Sequence, residues 1–340
     1  MKKGKRKWVS LVVFAVLILV GFVVPASAAE WPVRPVQVLV WAGAGGDTDL
    51  MNRTIWGVAE QQTGKTMNVS NATGAMGGLA AGKVWSARRD GHTVLGCSET
   101  MHAFGVMGAS DTSSRDWDIF IIAGGSGIIG VKDDSPYKTF EDLVKASQQK
   151  PGQVTVSHCP PGCIWHIQAL LAAKHGGVDW KLVPYDGSAK AVTALLTGEV
   201  DAVASSLGEQ FEFIRSGRIR PLATFEKESV TISDLNLTLR PVMSVLPGAK
   251  NAPEVKQWLG TAIPADTPKD IKDQWAATLK KAFNSDKMQE VIKRRVMKPL
   301  GWMPEESKVK LFEADKVYMW VIHDLKLTSK SPEVFKVPRP

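Results

Sequence analysis

Short apolar runs alternate along the chain with longer stretches in which apolar residues return every three to four positions. The short runs read as buried strands: "VQVLVWA" from Val36, "MNVSN" from Met67, "HTVLGCS" from His92 and the pair "WDIFIIAGG" and "SGIIGVKD" from Trp117. Four more follow: "QVTVSH", "WKLVPYD", "VDAVASS" and "IRPLATF". The periodic stretches read as helices. "DTDLMNRTIWGVAEQQTG" closes on Gly64, and "GGLAAGKVWSARRDG" is expected to run to Asp90-Gly91. "TFEDLVKASQQKPG" has Thr139 as N-cap and Asp142 at the capping-box position. "IWHIQALLAAKHGG", "SAKAVTALLTGE" and "EQFEFIRSGR" continue the series. Near the end, "VKQWLGTAIPADTPKDIKDQWAATLKKAFNS" predicts a strand and then a long helix opened by Asp266-Thr267-Pro268. The final "SPEVFKVPRP" reads as an extended tail.

This alternation predicts an α/β protein with mainly parallel sheets. Ligands on such sheets bind beyond the carboxyl ends of the strands, where loops meet helix N-termini. Six loops rich in small residues fall there: "GAGGDT", "NATGAMGG", "CSETMH", "CPPGCIWH", "YDGSAK" and "SSLGEQ". In the first, Gly45 and Gly46 let backbone approach a ligand, and Thr48 or Asp49 can cap the helix behind them. Exposed N–H groups and the helix dipole would make this an anion site. A plain tight turn is the competing reading of one such loop. The second glycine loop, "TGAMGG", favours the anion site, because two such loops at one end of a sheet would floor a pocket. Nucleotide motifs are absent: "GAGGDT" lacks the third glycine of a dinucleotide fingerprint, and no phosphate-binding GxxxxGK[ST] occurs.

Composition changes the picture at the N-terminus. Lys2, Lys3, Lys5, Arg6 and Lys7 precede an apolar run from Trp8 to Val24 and then "PASAAE". That pattern predicts a secretory signal peptide over residues 1–28, with an uncleaved anchor as the alternative. The 42 basic and 34 acidic residues give a formal charge of +8, and setting aside those five cations leaves about +3. No basic run in the remainder suggests nucleic acid. A mature chain of roughly 310 residues exceeds what one core usually serves, so two domains are expected.

Three cysteines, Cys97, Cys159 and Cys163, are too few for a disulfide scaffold. "HCPPGCIWH" gathers His158, Cys159, Cys163 and His166. A Cys159–Cys163 disulfide or free thiols stand ahead of a metal site, whose finger-type spacing is missing. A nucleophilic Cys163–His166 pair comes last, since no general acid or oxyanion motif accompanies it. No paired acid and base stands out elsewhere, so an enzyme is disfavoured and no cofactor is expected.

Several motifs fall in a familiar order: "WPVRPVQVLV", "AGAGGDTDLMNR", "NATGAMGGLAAGKVWSARRDGHTVL", "VTVSHCPPGCIWH", "LVPYDGSAKAVTALLTGEVDAV", "IRSGRIRPLATF" and "IPADTPKDI". Together they span Trp31 to about Gly301, and the chain resembles the periplasmic solute-binding proteins of tripartite tricarboxylate transporters, the Bug family. The resemblance implies a two-lobed periplasmic binding protein of type II-like topology. It places residues 29–127 and 246–340 in lobe I, residues 128–245 in lobe II, and a ligand cleft between them. It further implies a monomer in the periplasm that captures a small organic acid and hands it to membrane transporter subunits. A sensor presenting its ligand to a membrane signalling partner is the alternative. The implied ligand-binding residues are Gly45, Gly46, Thr48, Asp49, Gly77, Ser98, Glu99, Cys163, His166, Tyr185, Gly187 and Ser205.

The chain also departs from that family's pattern. The glycine loop usually reads like "PFAPGGGTD" but is "WAGAGGDTD" here, and "CSETM" stands where "GSSGT" is common. Asp47, Glu99 and Asp186 would therefore bring negative charge near a carboxylate ligand. Either these acids face solvent at the rim, or the ligand carries a cationic or hydrogen-donating group. Trp41 and Trp165 are candidate apolar walls for the ligand, unless they pack in the core.

Overall fold

The computed structural model describes residues 30–340, so the expected leader over 1–28 lies outside the described residues. Two sheets carry the fold. The first has six strands: β1 (Val36–Val40), β2 (Met67–Asn71), β3 (Thr93–Ser98), β4 (Trp117–Gly124), β12 (Leu259–Pro264) and β13 (Lys298–Trp302), in the order β13-β4-β12-β3-β1-β2. The second has five: β5 (Gly127–Lys132), β6 (Thr155–His158), β7 (Lys181–Pro184), β8 (Ala202–Ser206) and β9 (Ile219–Thr224), in the order β7-β6-β8-β5-β9. A small hairpin of β10 (Val230–Ile232) and β11 (Leu237–Leu239) stands apart.

Ten α-helices pack on these sheets among the described residues. They are α1 (Asp47–Thr63), α2 (Gly78–Trp85), α3 (Phe104–Met107), α4 (Phe140–Gln149), α5 (Ile164–Gly176), α6 (Ser188–Thr197), α7 (Leu207–Arg215), α8 (Lys269–Phe283), α9 (Asp286–Arg294) and α10 (Pro304–Asp324). None is long and apolar enough to cross a membrane. β4 and β12 are buried on both faces, as their continuous apolar runs require, whereas β1 buries one face fully, with Val36, Val38 and Val40 enclosed and Gln37 exposed. On one face of the first sheet Met51, Ile55 and Trp56 of α1 meet Trp275 and Leu279 of α8. Burying each such side chain is worth about 1.5–3 kcal/mol. On the other face Ala80 and Val84 of α2 join Leu95, Trp117 and Leu311.

The expected α/β two-lobed fold is present, but the sheets are mixed rather than mainly parallel. β1 pairs in parallel with β2 and β3, and β6 does so with β7 and β8. β12 runs antiparallel to β3 and β4, β13 to β4, and β5 to β8 and β9. The reversals follow from the crossings between sheets. The chain leaves the first sheet at the carboxyl end of β4 and passes at once into β5. It thus enters the second sheet from the cleft, opposite to β6, β7 and β8. β12 returns from the cleft side in the same way.

Local signals place most helix ends. Gly64 closes α1 in the left-handed conformation, φ 65°, its N–H bonded to the Glu60 carbonyl. Thr139 and Asp142 form the expected capping box on α4. Pro268 directly precedes α8. The second helix is shorter than its sequence pattern: α2 ends at Trp85, not Asp90. The Arg89 guanidinium folds back to donate to the carbonyls of Trp85 and Ala87 and lies over the Trp85 ring, satisfying the end of the helix from outside it.

The C-terminal region is more structured than an extended tail. α10 runs for 21 residues, and a 3-10 turn forms over Pro332–Phe335. Trp320 Nε1 donates to the Val337 carbonyl at 3.2 Å, and Ser329 and Lys330 both donate to the Val106 carbonyl. α10 also reaches across the molecule. Tyr318, Val321 and Ile322 pack into the core of the second lobe, and the Tyr318 hydroxyl donates to the Gly162 carbonyl at 3.2 Å.

Candidate functional site

A cavity of about 670 Å³ lies where the carboxyl ends of the parallel strands of both sheets face one another. Its walls come from the loops after β1, β2 and β3 on one side and after β6, β7 and β8 on the other. Three long helices start at this cavity. Their N-cap residues are Gly46 for α1, Cys163 for α5 and Gly187 for α6, and none caps its helix with its own side chain, although the first amide of α1 already donates to Glu209 Oε1 at 3.3 Å. Each offers the positive end of its dipole, and α5 and α6 do so with no side chain on their first amides. α7, also starting here, is different: Ser206 and Glu209 close it with a capping box.

Of the residues expected from sequence, Gly46, Thr48, Gly77, Ser98, Glu99, Cys163 and Gly187 line the cavity. The other five stand behind or beside it. Gly45 and Asp49 brace the first loop: the Gly45 amide donates to Asp49 Oδ2 at 3.0 Å, while Arg53 and Asn71 hold the same carboxylate. Ser205 is enclosed in β8, where its hydroxyl accepts from Gln210. Tyr185 turns outward to the Glu199 carboxylate, its hydroxyl donating at 3.2 Å. His166 stacks on His158 with ring centroids 4.4 Å apart and accepts from the Gly162 amide. Burial, and then His158, hold the His166 imidazole down at about 4, so it stays neutral.

The Cys-His loop is resolved by a disulfide. Cys159 and Cys163 are bonded, with their Cα atoms 6.1 Å apart. Both line the cavity, whereas Cys97 is a buried free thiol in β3. Among the described residues no three His, Cys, Asp or Glu side chains gather as metal ligands.

The three acids flagged from sequence separate. Asp186 is exposed at the rim and pairs with Lys190 at 3.2 Å. Asp47 is buried at the start of α1 and joins the two sides of the cavity. It accepts from the Ser206 hydroxyl, its amide donates to Glu209 Oε1, and Arg295 lies 3.7 Å away. Burial and the neighbouring Asp47 push the Glu209 carboxyl up to about 8. Glu99 is buried at the start of the turn after β3, and its Oε2 has no hydrogen-bond partner. Its carboxyl is also pushed up to about 8, chiefly by burial.

Trp41 and Trp165 both line the cavity although each is mostly buried, so wall and core are the same residues here. Trp41 fixes its neighbour as well: a Cβ on Gly77, where φ is +97°, would sit 2.5 Å from the indole. Sequence reasoning missed Asn71, Thr73, Gln257, Glu209 and Arg295. Glu209 carried a signal, the S-x-x-E spacing from Ser206. Arg295 carried none, because its position depends on the packing of α9 against the first sheet.

Residues 51–325 match the family described as tripartite tricarboxylate transporter family receptor. The chain is 25% identical over 309 residues to BugT of Bordetella pertussis, covering 88% of this chain and 91% of that protein. Two solved structures are similar in fold. One is R. palustris Rpa4515 with adipate, with TM-score 0.79, 23% identity, and coverage of 88% of this chain and 99% of that one. The other is MatC (Rpa3494) from Rhodopseudomonas palustris with bound malate, with TM-score 0.76, 22% identity, and coverage of 86% and 100%.

Proposed function

The chain belongs to the tripartite tricarboxylate transporter receptor family, and from that premise we propose that it is an exported binding protein that captures a small organic acid between its lobes. The observation that carries this reading is the convergence of three helix N-termini whose N-cap residues, Gly46, Cys163 and Gly187, make no side-chain cap, on one cavity. A carboxylate there meets backbone N–H groups from both lobes at once, which rewards closure. Adipate and malate in the two structurally similar proteins fit the same chemistry.

In this reading residues 29–127 and 246–340 form lobe I and residues 128–245 form lobe II. The hinge is the pair of crossings at Gly124–Gly127 and ahead of Leu259. The protein acts as a monomer in the periplasm, catalyses nothing, and presents its closed form to the membrane subunits of a transporter. The cavity has room for a ligand of modest size.

The test is native mass spectrometry of the protein as purified, followed by calorimetry with a panel of carboxylates. Retention or micromolar binding of a ligand bearing at least one carboxylate is expected. Binding of uncharged solutes with no response to any carboxylate would overturn it. Gly77→Ala, which drives a methyl into Trp41, should weaken that binding at least tenfold.

A further inference from the structure

One buried acid of the cavity keeps an oxygen without a hydrogen bond. Glu99 is 2% exposed, lines the cavity, and leaves Oε2 without a partner. A buried carboxyl oxygen left unsatisfied is costly, so such a group is expected to meet something that enters later. The charges around it say what. The cavity is lined by four acids, Asp47, Glu99, Asp186 and Glu209, and by one cation, Lys190. Lys190 is 66% exposed and already paired to Asp186. Arg295 is engaged beside Asp47 and donates to the Gly208 carbonyl. Among the described residues lining the cavity no cation is left to match a second carboxylate.

Resting on the organic-acid reading above, we propose that the ligand carries a protonated nitrogen as well as its carboxylate, and that Glu99 is the residue that selects it. The carboxylate lies at the helix N-termini and the ammonium reaches Glu99. A dicarboxylate of the same length would instead need Glu99 to keep its proton and donate it to the second carboxylate.

The proton balance distinguishes this arrangement from its rival. In the ligand-free protein burial keeps the Glu99 carboxyl largely neutral at pH 7. An arriving ammonium stabilises the carboxylate, so the Glu99 proton leaves to solvent and affinity rises with pH up to about 8. A neutral Glu99 donating its O–H to a second carboxylate would give the opposite slope. Around Glu99 stand the Ser98 and Thr100 hydroxyls and the Trp258 backbone, which favour its carboxylate, and Cys97 of β3 and Tyr318 of α10, whose thiol and phenol are pushed up by burial and then by Glu99. On its own turn His102 is tied to Asp315 of α10 at 2.6 Å and accepts from Trp258.

The test is calorimetry at pH 6, 7, 8 and 9 with matched pairs: 4-aminobutanoate against succinate, and 6-aminohexanoate against adipate. At least one amino acid is expected to bind about tenfold or more tighter than its dicarboxylate at pH 7. Its affinity should rise between pH 6 and 8, with proton release seen by repeating the titration in buffers of different ionisation enthalpy. Glu99→Gln keeps the shape of the side chain, and it should abolish both the preference and the pH slope while leaving thermal unfolding cooperative. Tighter dicarboxylate binding, or an amino-acid preference unchanged in Glu99→Gln, would overturn the proposal and leave the organic-acid reading standing. No binding of any of the four acids would count against both.

Discussion

Two buried carboxylates linked through the turn after β3 are treated in opposite ways. Asp315 of α10 is buried and fully engaged: His102 Nδ1 lies 2.6 Å from it, the Ser114 hydroxyl donates to it at 2.7 Å, and Arg115 stands 3.9 Å away. Trp258 completes the network by donating to the other nitrogen of the same His102. That bond makes Nε2 the acceptor, so the neutral ring carries its proton on Nδ1, facing Asp315. Glu99, three residues before His102, is as deeply buried and has an oxygen with no partner. The network behind the cavity is complete and ties the C-terminal helix to the turn after β3. The acid on the cavity side is incomplete. Asp315 is satisfied within the protein, whereas Glu99 keeps an oxygen for which the protein supplies no hydrogen bond.

The comparison breaks if the two acids respond alike. Asp315→Ala should cost about 3 kcal/mol or more in urea unfolding, because it strands buried donors on His102 and Ser114. Ligand affinity of the folded fraction should change less than about twofold. A loss well under 1 kcal/mol would mean that the network holds nothing together.

Glu99→Gln should act in the other direction and through pH. The carboxyl sits at about 8 in the folded protein against an ordinary value of 4.5. Between those values the folded state keeps a proton that the unfolded state has lost. Stability therefore falls as pH rises from about 4.5 to 8, and it flattens above that. Each such carboxyl contributes up to about 1.4 kcal/mol per pH unit in that window. Glu209, pushed up to about 8 as well, adds to the slope. Urea midpoints from pH 5 to 9 should show a shallower fall in Glu99→Gln than in the parent. Identical slopes would contradict a buried, protonated Glu99.

The exposed acid sets the lower end of the scale. Asp186 is 85% exposed beside Lys190, so Asp186→Asn should shift stability by no more than about 0.5 kcal/mol. Its effect on ligand binding should stay within about twofold. A larger effect on binding would bring Asp186 into the site and weaken the contrast between rim and floor.

Much of this architecture could be read along the chain. The enclosed Val36, Val38 and Val40, the Gly64 stop and the Thr139–Asp142 box are local signals, and local chemistry settles them. The six loops that meet at the cavity were identified because each follows a strand and precedes a helix or turn. Direction in the sheets was not legible. β5 and β12 look like any buried strand, and only their entry from the cleft turns them antiparallel. α10 is hard to read because it is apolar in patches on several sides and has no single stripe, whereas α9 carries a legible signal, the Ser285 cap and the buried Met288 and Ile292 on one face, that the sequence reading passes over.

The candidate site divides in the same way. Residue type and position after a strand bring Gly46, Thr48, Gly77, Ser98, Glu99, Cys163 and Gly187 to the cavity. The sequence alone could not separate Asp47, Glu99 and Asp186, which look alike as departures from a neutral loop. Their roles differ because burial and partners differ: Asp186 is exposed beside Lys190, Asp47 has Ser206 and Arg295, and Glu99 keeps an oxygen without a hydrogen bond. What the sequence by itself determined was the order of strands, helices and glycine loops, because period, caps and turns act over a few residues. Which acid is free was decided only by tertiary structure, because desolvation and charge pairing depend on residues brought together from far along the chain.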